Sequence, residues 1–575
     1  MKKLSNIMDG TIKWAVYGLF SVIVVFLAMV SVFGSCFVNH DEYTYFLSDA
    51  GYKHVVAFVL VVLLAFLYQR WISNKLADQY KKMLWYGLLG IYGIVMACIT
   101  LYVSMEPRAD QASVVNTALA MVNEDYTAYE VGGYMSVYPN QVGIVYFFYW
   151  LFKIFPFGYK TVCVLNVMSL IGIMIGMAGI GSLYGKNNKY LTGVVTMLFF
   201  PITCYATFIY GNLMGQALST LGIYFAMKYF SQRKTSSIVW SVTTCALAVV
   251  IKENFLIPLI GVVLFLLLDL VKSPKKKSAF FLLGLLSATI CFSNGVKLHT
   301  EQITEKKIST GVPTLAWVAM GMQEGYMAYG WHNQYNEDVY RANDCNTEQT
   351  NAQVKEDLVV RMKEFLSNPA YTVKFFYQKT LSQWNNPTFE CFWINDLTKR
   401  QSDGIEVKNV AGVFKSVLGE PGNPLLREYC NLYQTLILAG VCIWIFWGRK
   451  ELKVEQLLLA TIFVGGFVFH FFWEAKCQYV MPYFVLLIPY AIKGYQYLLG
   501  ALEQIHSNQK EKLYMKIVKN RCLSLILLVG FLVVVISLAG TKFVDKAFGF
   551  SNQQYEEYYD TSVAIRRYHY SSSKV

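Results

Sequence analysis

The residues with the greatest capacity for chemistry sit in a polar island, Met105 to Gly143 (MEPRADQASVVNTALAMVNEDYTAYEVGGYMSVYPNQVG), between long apolar runs. Asp110 stands directly before a short helical pattern. Its carboxylate could take the proton of an attacking hydroxyl, and it could equally cap the helix by accepting the first free backbone N–H groups. Arg108 precedes it, and Tyr138, Pro139, Asn140 and Gln141 close the island with groups able to hydrogen-bond a polar substrate. Two distant turns carry further candidates, Lys252-Glu253-Asn254 and Glu474-Ala475-Lys476-Cys477-Gln478-Tyr479. Cations can offset charge growing on a departing anion, a task open to Lys252, Arg108 and Lys476. Glu253, Glu474, Gln478 and Tyr479 are expected to line the same substrate. The plainer readings are an ion pair at a helix turn for Lys252 and Glu253, and interfacial anchors for Glu474 and Lys476. Asp41 and Glu42 are the rival base. Asp110 is preferred because an amphipathic helix and Tyr-Pro-Asn-Gln follow it, whereas Asp41 leads almost directly into another apolar run.

These turns must be held by membrane helices. A chain of 575 residues with 55% hydrophobic and 15% charged residues, and a mean hydropathy of +0.38, is too apolar for a soluble protein of this size. Apolar runs of roughly 17 to 24 residues recur and amount to about thirteen spans. The net charge of +13 does not point to nucleic acid, because the basic residues fall in short loops between runs. Lys2, Lys3 and Lys13 place the N-terminus in the cytoplasm, ahead of a retained first span over about 14–37. Spans over about 55–71 and 84–103 then deliver the island to the outside. The run Gln141 to Phe155 is short and carries Lys153; if it crossed, Pro274-Lys275-Lys276-Lys277 would lie outside, against the positive-inside rule. It is therefore expected to dip or lie flat at the outer leaflet.

With that choice the loops at Tyr210-Gly211-Asn212, Lys252-Glu253-Asn254 and Trp473-Glu474-Ala475-Lys476 fall outside. Lys186, Lys189, Arg233, Lys234, Arg449, Lys450, Lys453 and the run Lys510 to Arg521 fall inside. Five regions result: N-terminal spans (1–104), a first outer loop with surface helices (105–160), a central bundle (161–296), a large extracytoplasmic and mostly helical loop (297–430), and C-terminal spans with a tail that ends outside (431–575). After Asp110, one helix face carries Val114, Val115, Ala118, Leu119 and Val122 and another Gln111, Ser113, Asn116 and Thr117, the stripe of a helix lying along a membrane. In the large loop, Val354, Leu358, Met362, Phe365 and Leu366 form one amphipathic pattern. Val373, Phe376, Tyr377, Leu381 and Trp384 form a second, with Asn368-Pro369 as the break. The fold expected is all-α, a polytopic helical bundle.

Other chemistries find less purchase. The cysteines show no paired CxxC or Cys/His metal spacing, and most lie in apolar runs; Cys345 and Cys391 could pair if their loop faces an oxidising side. His299, His332 and His470 are isolated, so no metal site is indicated. Few ionisable residues lie deep in the spans, which argues against a proton or ion relay. No GxGxxG stands in a strand–helix context, so no nucleotide fold is indicated.

The combination of Arg108-Ala109-Asp110-Gln111, Tyr138-Pro139-Asn140-Gln141, the stretch Pro313 to Gly321 and the late Glu474 to Pro482 resembles the GT-C class of integral-membrane glycosyltransferases. The bacterial family 39 members, similar to protein O-mannosyltransferases, are the nearest in pattern. Two departures stand out: Gln478 lies where the family pattern usually has Arg, with Lys476 nearby, and two extra spans precede the Asp loop. The resemblance implies an inverting transfer from a polyprenyl-phosphate sugar at the outer face of a plasma membrane, with Asp110 as base. The acceptor would be an extracytoplasmic cell-wall polymer, glycolipid or protein. No cofactor beyond that lipid donor is implied. The rival readings are a transporter or flippase of a lipid-linked saccharide, and a polymerase or ligase of lipid-linked glycans.

Overall fold

The computed structural model describes residues 2–397 apart from breaks at 40, 74, 104–105, 157, 186 and 273–274, then isolated residues up to 422, and 423–448, 454–507, 521–538, 541–553 and 556–558. Met105, Lys186, Pro274, Arg449, Lys450, Lys453, the basic run from Lys510 and the end of the tail lie outside the described residues.

Long unbroken apolarity makes helices here, because a hydrocarbon surround leaves the backbone no partner but itself. Among the described residues seven helices are long and apolar enough to cross a membrane: Lys13–Phe33, Gly51–Trp71, Asp78–Val103, Tyr159–Tyr184, Glu253–Lys272, Lys276–Thr304 and Pro424–Trp447. Two bent pairs raise that number to as many as nine: Asn188–Met197 with Phe200–Thr207, turned by 60°, and Cys477–Val485 with Ile488–Gln504, turned by 47°. Thr235–Ile251, Leu458–Phe472 and Leu523–Leu538 are shorter apolar helices. Asn212–Gln232 runs through the middle of the bundle, against Tyr159–Tyr184 on one side and Thr235–Ile251 on the other. The core is built from large buried rings, among them Phe20, Phe148, Tyr205, Tyr229, Trp444 and Tyr490. Peripheral helices show the converse. Gly51–Tyr68 buries only Gly51 and His54 among its residues, leaving Val56, Val59, Leu63 and Leu64 open, as a lipid-facing helix would.

The first apolar run is not one element. Its helix ends at Phe33, and Gly34–Val38 pairs antiparallel with Thr44–Ser48, from Gly34 opposite Ser48 to Val38 opposite Thr44. A strand buried on both faces reads as a plain apolar run, which is why periodicity assigned it to the span. The chain is otherwise helical, as expected, and what is corrected is the end of the first span, placed near Phe37 and found at Phe33. Gly34 is required there, since a Cβ would sit 2.3 Å from the Phe550 ring.

The helix expected to end near Val296 runs on to Thr304. Loss of apolarity marks where lipid would end, while a helix stops only where its backbone bonds do. The following segment forms helices at Thr314–Met320, Tyr335–Ala342, Thr347–Ser367 and Pro369–Trp384. Asn346 and Asn368 cap the last two through their side-chain oxygens, and Pro369 occupies the first turn, so Asn368-Pro369 is a break followed by an immediate restart. The segment then turns into the bundle end: Asn385 Nδ2 donates to the Gly34 carbonyl at 2.9 Å, and Tyr205 donates to the Phe389 carbonyl at 2.7 Å. Cys345 and Cys391 are both free thiols, which corrects the pairing considered above; Cys391 is buried in a cluster with Phe37, Cys204 and Phe392.

Candidate functional site

The helix after the acidic turn spans Asp110–Val122. Asp110 is its first residue and not its cap; Ala109 holds that position at φ 48°, with no side-chain cap bond. The capping role is thereby corrected, and the Asp110 side chain is left exposed at the helix start. One Asp110 oxygen, Oδ2, accepts from the Tyr210 hydroxyl at 3.2 Å. The amphipathic stripe is corrected as well. Gln111 and Thr117 are buried with Val114, Val115, Ala118 and Met121, while Leu119 is 36% exposed. Gln111 can go inside because its Oε1 accepts from the Ile209 N–H at 2.8 Å, and a satisfied amide no longer demands water.

Tyr210 organises the centre. Its hydroxyl accepts from Gln141 Nε2 at 2.8 Å while donating to Asp110. The Lys252 ammonium lies 3.3 Å from the centroid of its ring. Two glycines allow this closeness. A Cβ on Gly143 would meet the Val250 carbonyl oxygen at 1.8 Å, so only glycine lets helix Val142–Ile154 press on the end of Thr235–Ile251. A Cβ on Gly215 would meet Phe255 at 2.3 Å and Lys252 Cβ at 3.4 Å. Lys252 is 8% exposed and pairs with no carboxylate in hydrogen-bond range among the described residues; Glu253 faces outward. The simple ion-pair reading of Lys252 and Glu253 is therefore corrected. Burial pulls the Lys252 ammonium down to about 7, with nearby Asp110 acting against that fall.

A second charged group adjoins the first. Lys476 Nζ lies 2.5 Å from Glu42 Oε1, with both side chains largely covered. Burial works against the Lys476 charge, but Glu42 and then Glu390 outweigh it and hold the ammonium above the ordinary lysine range. Glu42 is thus engaged by a cation, while Asp41 stands exposed at the tip of the hairpin. Trp393 lies between two cations, the Arg108 guanidinium at 4.4 Å and the Lys476 ammonium at 4.8 Å from the ring centroid. Arg108 also donates to the Trp393 carbonyl at 2.8 Å. Glu474 is 5% exposed; burial lifts it to about 7, Lys476 holding it lower than burial alone would. Tyr479 donates to it across 3.4 Å.

The rim is made by Tyr138, whose hydroxyl donates to Glu337 Oε2 at 2.9 Å, and by Asn140, exposed in the turn Pro139–Gln141. Gly311, at φ +67°, permits contact with Pro139 that a Cβ would block at 2.3 Å. The stretch Pro313 to Gly321 thereby meets the Tyr-Pro-Asn-Gln turn. Lys379, 1% exposed, donates to the Gly321 and Trp473 carbonyls at 2.5 and 2.8 Å and ties that stretch to the turn before Glu474.

A cleft beside Tyr210 is lined by Lys252, Asn212, Gln216, Asn254, Phe255, Pro258, Gln478, Tyr479, Met481, Pro482 and Tyr483. The structure therefore gathers Glu42, Asp110, Gln141, Lys252, Glu474, Lys476, Gln478 and Tyr479, and sets Tyr138 and Asn140 at the edge. Sequence reasoning missed Tyr210 as the link, and with it Gln216, Glu337, Lys379, Glu390 and Trp393. Tyr210 stood visibly in a turn; nothing in its neighbours marks which way its ring falls. Glu390 is 1% exposed at φ 62°, directly after Phe389 at φ 47°, a strained pair that no local pattern predicts. Among the described residues no three His, Cys, Asp or Glu side chains converge to hold a metal ion. No protein-family model matches the chain, and no curated protein matches it.

Proposed function

We propose that this chain is an integral-membrane glycosyltransferase of GT-C type that inverts the sugar centre, taking the sugar from a polyprenyl-phosphate donor to a hydroxyl of an extracytoplasmic acceptor. The observation that carries the reading is the Asp110–Tyr210–Lys252 arrangement: an exposed carboxylate and a buried ammonium held on one tyrosine, at the end of an apolar bundle. In the step proposed, Asp110 takes the acceptor hydroxyl proton as that oxygen bonds to the anomeric carbon. The bond from that carbon to the phosphate oxygen breaks on the opposite face, and the electron pair leaves with the lipid phosphate. Lys252 meets the charge that grows there, which a buried ammonium does strongly because little water screens it.

The topology of about thirteen spans belongs to the same reading. Helix Val142–Ile154 has 13 residues. At about 1.5 Å per residue it reaches roughly 20 Å, short of the ~30 Å hydrocarbon core. That length supports a dipping segment, and in this reading the Asp110, Lys252 and Glu474 turns share the outer side. A transporter or flippase is the second reading, favoured by the two helix pairs bent by 60° and 47°, since broken helices often line transport sites.

Reconstitution with a labelled polyprenyl-phosphate hexose and a panel of acceptors tests both. Transfer is expected from the unaltered chain, with a loss of about 10²-fold or more in Asp110→Asn. Undiminished transfer by Asp110→Asn removes the base assignment, and label that crosses the bilayer without transfer selects the flippase.

A further inference from the structure

The cleft that Lys252 lines holds more unpaired polarity than the transfer step uses. Gln216 lies one turn into helix Asn212–Gln232 at 2% exposure, and neither of its amide atoms has a partner among the described residues. Gln478 Oε1, in a side chain 5% exposed, and Asn212 Oδ1 are also buried without a partner, and all three residues line this cleft. A buried polar group left unpaired is unfavourable, and apolar side chains of similar size would avoid that cost. Three such groups converging on one space, beside the N-terminus of a 21-residue helix, point to a ligand. Lys252 is the one charged residue of the described lining.

We propose that this cleft seats an uncharged, hydroxyl-rich headgroup, the sugar of the lipid-phosphate donor, read by Gln216, Gln478 and Asn212 while Lys252 holds the phosphate. The inference rests on the transferase reading for the identity of the donor. Amide carbonyls accept from sugar hydroxyls and the Gln216 amide donates back; exchanging the two ends of an amide keeps the set neutral. A carboxylate-bearing sugar would set its anion against these carbonyl oxygens, and an ammonium-bearing sugar would stand beside the Lys252 cation. Tyr479 and Tyr483 supply ring surface to the same space.

The test uses the full chain in lipid nanodiscs and three probes: polyprenyl methyl phosphate, a diester whose phosphate carries the same single charge as that of the sugar lipids, polyprenyl-phosphate glucose and polyprenyl-phosphate glucuronate. Two extra hydrogen bonds of about 1 kcal/mol each predict that the glucose lipid binds at least about tenfold tighter than either other probe. Gln216→Leu and Gln478→Leu, made separately, are each expected to reduce that gain severalfold, with binding of polyprenyl methyl phosphate, which meets Lys252 and not the amides, reporting intact folding. Equal binding of the three probes by the unaltered chain overturns the proposal without recourse to any variant. Retention of the full gain in both variants overturns it as well. A retained glucose gain without sugar transfer to any acceptor refutes the transferase and leaves the pocket standing.

Discussion

Tyr210 does two separable jobs, and substitutions can pull them apart. Its hydroxyl links Gln141 to Asp110, and its ring face carries the Lys252 ammonium. Tyr210→Phe keeps the ring and removes the link, so kcat for sugar transfer is expected to fall about tenfold with donor affinity nearly unchanged. Tyr210→Leu also removes the cation–π contact, worth about 2 kcal/mol when desolvated, so donor affinity should fall as well. Kinetics with the donor varied separates kcat from KM and decides between these outcomes. Lys252 gives a pH signature of definite sign. Burial lowers its ammonium to about 7 in the free protein, and a bound phosphate raises it again. The donor binds the protonated form, so its affinity should be flat below about 7 and fall by up to tenfold per pH unit above it. A polyprenyl-phosphate hexose is a diester with no titration of its own in that range, so the pH dependence of direct binding comes from the protein; Glu474, which burial also brings to about 7, acts in the same direction, and a Glu474→Gln background isolates the Lys252 part. In that background Lys252→Met should bind weakly with a flat profile.

At the scale of elements, the site depends on helices brought closer than side chains allow. Helix Val142–Ile154 reaches the Val250 carbonyl through Gly143, and Asn212–Gln232 reaches the Lys252 turn through Gly215. Gly143→Ala must displace one helix from the other, and overpacking of this kind costs about 1–3 kcal/mol. A lower thermal unfolding midpoint is expected, together with loss of donor binding as the Lys252 turn shifts. Gly87→Ala is the control: its Cβ would meet nothing within 4 Å, and alanine in a helix should match or exceed the stability of the unaltered chain. At the other end of the bundle Arg233 grips Asp269 through two contacts of 2.6 Å, with Ser278 donating to the same carboxylate, so three helices meet on one charge pair.

The whole molecule places its polar segments at two ends. The hairpin, the 105–141 island and the 305–397 helices lean on one another; Lys306 meets Glu130 at 3.3 Å, and the Thr44 N–H donates to the Met327 carbonyl at 3.1 Å. Cysteines introduced at Glu124 and Glu348, in a background without native cysteines, should react with a membrane-impermeant maleimide in intact cells. Cysteines at Lys234 and Lys276 should react only after permeabilisation. Equal labelling of all four would reject the proposed topology.

Composition alone determined that most of this chain is apolar helix, with several helices of membrane-crossing length, because burial of backbone in hydrocarbon leaves few alternatives. The polar turns able to carry chemistry were legible too, since charge is scarce elsewhere: Asp110, Lys252, Glu474 and Lys476 stand out by contrast. Tertiary structure decided what each of them touches. Lys476 is taken by Glu42, Arg108 lies on Trp393, and Lys252 is left to Tyr210, choices made by residues tens to hundreds of positions apart. It also turned the Asp110–Val122 helix and made a strand of Gly34–Val38, because burial depends on which partners arrive and not on local pattern. Periodicity reports that a face differs from its opposite; only packing settles which face goes inside and whether its polar atoms find partners there.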